Sequence, residues 1–146
     1  MRDAIIALVF ALIAVIRTTI FHLEALSVAT RFSLRRCPRS VLVAGVLTLV
    51  ILVHLIEITG YAIVYWIADV PLDIGSISGE QPHVLDMFYF TAEIYSSLGL
   101  NDIMPHGALR PIGSIGSIIG ILLLAWSGAY LFAFADQLGR ERFSGD

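Results

Sequence analysis

Apolar residues run through this chain in long blocks instead of alternating with polar ones. Between Val41 and Ala68 the only small polar or ionisable interruptions are Thr48, His54, Glu57 and Thr59. At about 1.5 Å per residue that block exceeds a ~30 Å hydrocarbon core, so it predicts a spanning helix that tilts or protrudes. A second block covers Ile112 to Ala135, with Pro111 at its head, where proline suits the first turn of a helix. A third, Ala4 to Ile16, is shorter. It extends to Phe21 only with Arg17 snorkelling to an interface. It predicts either another span or a helix lying in the membrane surface. It carries no obvious small-residue cleavage site that would make it a signal peptide.

The connection between the two longest blocks is too apolar to be only a loop. From His83 to Tyr95 it reads HVLDMFYFTAEIY, then turns polar in SSLGLND. The apolar piece makes about three to four helical turns, too few to cross a bilayer. Irregular backbone at membrane depth is tolerated only where protein or a water-filled cavity covers it. The pattern therefore predicts a re-entrant helix followed by a turn that lines a pathway or is buried.

Composition agrees with a membrane chain: 58% of residues are apolar and 14% charged, against about a quarter charged in ordinary soluble domains. The net charge of −3 leaves no electrostatic footprint for nucleic acid. With Cys37 alone no disulfide forms within the chain, and no zinc-type ligand spacing is present. Arg31, Arg35, Arg36 and Arg39 crowd one connection, and Arg140 and Arg142 follow the last block. By the positive-inside rule both regions are expected in the cytoplasm. The connection bearing Asp69, Asp73, Glu80, Asp86, Glu93 and Asp102 is then external, and its acids either concentrate cations or form a solvated loop. No span carries an arginine ladder of the voltage-sensing kind.

Span, short helix, S-S-L-G-L-N-D, proline, span: this order resembles the pore module of potassium-type channels, whose filter reads T-T-V-G-Y-G-D. Ser96 and Ser97 fall on the two threonines, Leu98 on the valine, Gly99 on the first glycine and Leu100 on the tyrosine. Asn101 falls on the second glycine, Asp102 on the aspartate and Pro105 on a frequent proline. HLIEITGYAIVY and WSGAYLF also look like a small bacterial three-span ion channel family. The resemblance covers roughly residues 41 to 135. It implies an all-α membrane protein: two spans enclosing a re-entrant pore helix and filter, one further N-terminal span, and a homotetrameric pore in a bacterial inner membrane.

On that template residues 1–40 hold the N-terminal helix and the basic connection. The outer helix is 41–68, the external loop 69–82, the pore helix 83–95, the filter 96–102 and the inner helix 111–135. Residues 137–146 form a cytoplasmic tail. Carbonyls of Ser97, Leu98, Gly99 and Leu100 would replace the water shell of a monovalent cation, K+ first and Na+ second, with Asn101 at the mouth. No other cofactor is implied. Glu93, Ser96 and Asp102 would support the filter, Glu93 and Asp102 as a carboxyl pair. Leucine in place of tyrosine and asparagine in place of glycine depart from the family pattern. They leave open a nonselective filter, or a non-conducting or sensory assembly that keeps the architecture. An intramembrane serine hydrolase would need an activating base beside Ser96 or Ser97, and no motif supplies one, so no enzyme is expected.

His54 and Glu57 stand one turn apart inside a span, where ionisable groups suggest function by default. They are expected to pair with each other, or Glu57 to brace the last span through Ser127 or the Trp126 N–H. Gly113, Gly116, Ser117 and Gly120 include a G-x-x-x-G step that suits helix association.

Overall fold

A computed structural model describes residues 1–32, 38–77, 84–99 and 104–143. The roughly 20 apolar residues needed to cross a bilayer are met three times. Helix α1 covers Arg2–Phe32, α2 covers Arg39–Asp69 and α4 covers Leu109–Phe143. Among the described residues these are the three helices long and apolar enough to cross a membrane. The protein is thus an integral, multi-pass membrane protein. Leu12, Ile51, Leu55, Ile121 and Leu122 remain exposed, as expected of side chains facing lipid instead of a water-driven core.

Three sequence boundaries need correction. The first block does not stop at Ile16 or Phe21. Helix α1 runs on to Phe32 with Arg17 near its middle. A face of small residues, Ala7, Ala11, Ala14 and Thr18, is almost wholly buried and lets α1 approach its neighbours closely. Gly60 of α2 leaves the notch in which the Arg17 guanidinium lies. A methyl group there would collide with it. The last helix likewise continues past Ala135, so residues 137–143 belong to α4. It also begins earlier, with Pro111 in its third position.

Between α2 and α4 lies helix α3, Val84–Ser96, which is too short to span. It packs against both long helices through Met87, Phe90 and Tyr95, all at most 2% exposed. Phe90 meets Tyr65 of α2 edge to face, with ring centroids 5.2 Å apart, a favoured aromatic geometry. The stretch expected as plain loop contains a short strand, β1, Gly75–Ile77. It pairs antiparallel with β2, Pro105–Gly107, in the register Gly75↔Gly107, Ser76↔His106, Ile77↔Pro105. This strap closes the segment carrying α3 into one loop. Gly107 sits at φ 61, a left-handed conformation that glycine adopts without steric cost.

The glycine face of α4 is filled from within the chain. A Cβ on Gly113 or Gly116 would touch the hydroxyl of Tyr65 at 3.5 and 3.4 Å. One on Gly120 would collide with the carbonyl of Tyr95. The G-x-x-x-G step therefore receives α2 and the end of α3.

Candidate functional site

Where α3 ends, its chain makes a Schellman turn. The Ser97 N–H donates to the Ile94 carbonyl at 3.1 Å, and the Leu98 N–H to the Glu93 carbonyl at 3.2 Å. Such a turn needs a left-handed residue just past the helix, usually glycine. Here Ser97 fills the position at φ 55, at a cost of about 1–2 kcal/mol for a residue with a Cβ. Its hydroxyl meets that of Ser117 on α4 at 2.6 Å, which fastens the turn to the long helix. Ser96 binds back to the Ala92 carbonyl at 2.7 Å and so belongs to α3 itself. Leu98 is 66% exposed. Gly99 is again left-handed at φ 66. Leu100, Asn101 and Asp102 lie outside the described residues.

A cleft of about 620 Å³ opens beside this turn, between the end of α3 and the first half of α4. Glu93, Ser97, Gly99, His106, Arg110 and Ser117 contribute to its lining. Glu93 is only 3% exposed, and neither carboxylate oxygen has a hydrogen-bond partner among the described residues. A buried polar atom so left costs about 1–3 kcal/mol.

One layer deeper, four helices contribute to a single polar cluster. Glu57, 1% exposed, stands at its centre. Its carboxylate can only accept, and three donors face it. The Tyr95 hydroxyl donates to Oε2 at 2.6 Å. Nδ1 of His54 lies 3.0 Å from the same oxygen, and Nδ1 of His22 lies 2.9 Å from Oε1. The far nitrogens of both rings converge on the Ser127 hydroxyl: Nε2 of His54 at 3.0 Å and Nε2 of His22 at 3.3 Å. A neutral imidazole that donates from Nδ1 can only accept at Nε2, and the Ser127 hydroxyl has one hydrogen, so Ser127 donates to one of the two rings at a time.

His54 and Glu57 do pair, but the brace to the last span differs from the expected one. His54, not Glu57, reaches Ser127, while Trp126 is 56% exposed on the outer face of α4. Glu57 instead ties α1 and α3 to α2. The sequence reading missed His22 and the Tyr95 hydroxyl. His22 carried a usable signal, an ionisable residue in a spanning helix. It is hidden because the apolar block that extends to Phe21 ends just before it.

A family model described as "Ion channel" matches residues 46–137. No curated protein matches the chain, and no solved structure does.

Proposed function

Because the chain belongs to the ion channel family, and so to a family of conduits rather than enzymes, we propose that it is a subunit of a pore-loop cation channel. The matched region takes in most of α2, all of α3 with the turn after it, and most of α4. In this reading α3 is the pore helix and the segment from Ser97 through Asn101 is the filter. Carbonyls of Ser97, Leu98, Gly99 and Leu100 take the place of water around a monovalent cation, K+ ahead of Na+.

The observation that carries the reading is the backbone after α3. Ser97 and Gly99 are left-handed and Leu98 between them is not. Alternation of hand turns successive carbonyls toward one side, as an ion-coordinating row requires; the Schellman turn accounts for Ser97, and Gly99 is the left-handed position beyond it. The Ser97–Ser117 contact holds the foot of that row to α4, and the Glu57 cluster holds the end of α3 through Tyr95. Glu93 and Asp102 are assigned as the supporting carboxyl pair. The unpartnered oxygens of Glu93 favour this, since they need a proton or a donor.

One such turn cannot enclose a path, so the conducting unit is a ring of copies, and the resemblance to potassium-type channels implies a homotetramer. The arginine distribution favours cytoplasmic placement of the α1–α2 connection and the end of α4, with the β1–β2 strap outside.

The deciding test is ion flux through purified protein in liposomes, K+ against Na+, with Gly99→Ala beside it. A Cβ at Gly99 meets nothing within 4 Å, so the substitution perturbs backbone hand without crowding. K+-favouring flux that Gly99→Ala abolishes is expected. Flux unchanged by Gly99→Ala refutes the filter assignment, and flux for neither ion refutes conduction.

A further inference from the structure

We propose that His22, His54, Glu57 and Tyr95 form a binding site for a divalent transition metal ion of the Zn2+ class. The proposal does not depend on conduction by the pore. No spacing in the sequence announces such a site, because its ligands come from α1, α2 and α3 and only the fold assembles them.

The donor atoms of His22, His54 and Glu57 all lie within 4.8 Å of one another, and all three side chains are buried. Both Nδ1 atoms stand 2.9 and 3.0 Å from the carboxylate oxygens. The Tyr95 oxygen is 2.6 Å from Oε2 and 3.0 Å from Nδ1 of His54. A tetrahedral ion with bonds of about 2.0–2.1 Å spaces its ligand atoms about 3.3 Å apart. The pairs at 2.9 and 3.0 Å reach that spacing by opening a few tenths of an ångström, and the Tyr95–Oε2 pair by about 0.7 Å. Two imidazoles, a carboxylate and a phenolic oxygen suit zinc and its neighbours over Mg2+ or Ca2+, which want more oxygen ligands.

Two further observations point the same way. A metal-bound imidazole usually gives its other N–H to a fixed acceptor. Here both Nε2 atoms already face one oxygen, that of Ser127, at 3.0 and 3.3 Å. With metal on each Nδ1, each ring carries its hydrogen on Nε2, and the two lone pairs of Ser127 accept both. The charges also close. Tyr95 loses its hydroxyl proton to solvent on binding. Glutamate and tyrosinate then neutralise a divalent ion, a strong advantage among helices at membrane depth. The bound ion would hold α1, α2 and the end of α3 together, with α4 joined through Ser127.

The test uses the full chain in detergent micelles, stripped with chelator and titrated with Co2+ alone. The expected result is one equivalent per chain with the intense visible bands of tetrahedral Co2+, bleached on adding Zn2+. Zn2+ should raise the midpoint of thermal unfolding. Ser127→Ala, which leaves every ligand in place, should weaken binding about 10- to 100-fold, as loss of an outer-shell partner does. The double variant His22→Gln/His54→Gln should lose the bands. The wild-type titration decides by itself if that variant fails to fold: no Co2+ taken up, or only six-coordinate Co2+, overturns the proposal and leaves a purely hydrogen-bonded cluster. Tetrahedral Co2+ that persists in a folded double variant overturns it too.

Discussion

Two glycines one helical turn apart on α4 face different neighbours, and the same methyl group should act oppositely at each. At Gly120 a Cβ meets the backbone carbonyl of Tyr95, which cannot rotate away like a side chain. The end of α3 must retreat from α4 by about 1 Å, and overpacking of that kind costs about 1–3 kcal/mol. At Gly116 a Cβ meets only the Tyr65 hydroxyl at 3.4 Å and Tyr61 ring carbons at 3.6 and 3.7 Å. Those are ordinary contacts, and alanine brings up to about 1 kcal/mol of helix propensity. Gly120→Ala should therefore lower the thermal midpoint of purified protein in micelles by about 5 °C, at about 3 °C per kcal/mol for a chain of this size. Gly116→Ala should leave it level or slightly higher. In liposomes Gly120→Ala should also depress flux, because the displaced end of α3 is the root of the Ser97–Gly99 turn. Equal losses in the two variants would refute the reasoning and return the step to a contact between copies. So would a neutral Gly120→Ala.

Other substitutions test the turn and the cluster. Ser97→Gly relieves the left-handed serine but loses its hydroxyl contact with Ser117. The two effects, each about 1 kcal/mol, should nearly cancel in the thermal midpoint, whereas K+-over-Na+ preference should fall if that hydroxyl faces the ion. Tyr95→Phe removes a 2.6 Å bond to a carboxylate and should cost about 1.5–3 kcal/mol by thermal unfolding. A loss below about 0.5 kcal/mol would show that bond to be dispensable. Glu57→Leu strands two buried histidines and should cost about 3–5 kcal/mol. Glu93→Gln, whose carboxylate has no partner among the described residues, should cost almost nothing by the same measurement. Glu93→Val should shift the pH dependence of flux if the carboxyl pair braces the filter, and an unmoved profile would exclude that role.

The architecture was legible where it rests on length and polarity. The blocks 41–68 and 112–135 declare themselves because lipid tolerates few polar interruptions over so many residues. The short apolar piece before the SSLGLND turn stood out for the converse reason. What escaped depended on partners distant in sequence. Arg17 looked like a boundary because nothing near it in sequence accommodates a guanidinium, and the residue that does is Gly60 of another helix. His54 and Glu57 were visible as a pair one turn apart, but His22 lies 35 positions from Glu57. The three-residue strands are too short to carry periodicity, and their pairing follows from where α2 and α4 leave the chain.

The β1–β2 strap has a consequence for biogenesis. Synthesis runs from the N-terminus, so Gly75–Ile77 leaves the ribosome well before the partner strand Pro105–Gly107. Helix α3 is made in that interval, before Gly113, Gly116 and Gly120 exist to receive it. Closure of so long a loop is a slow, non-local step. Docking of α3 between α2 and α4 can be completed only once α4 is made, and a chain stalled before it would present an unfinished, sticky edge to quality-control proteases.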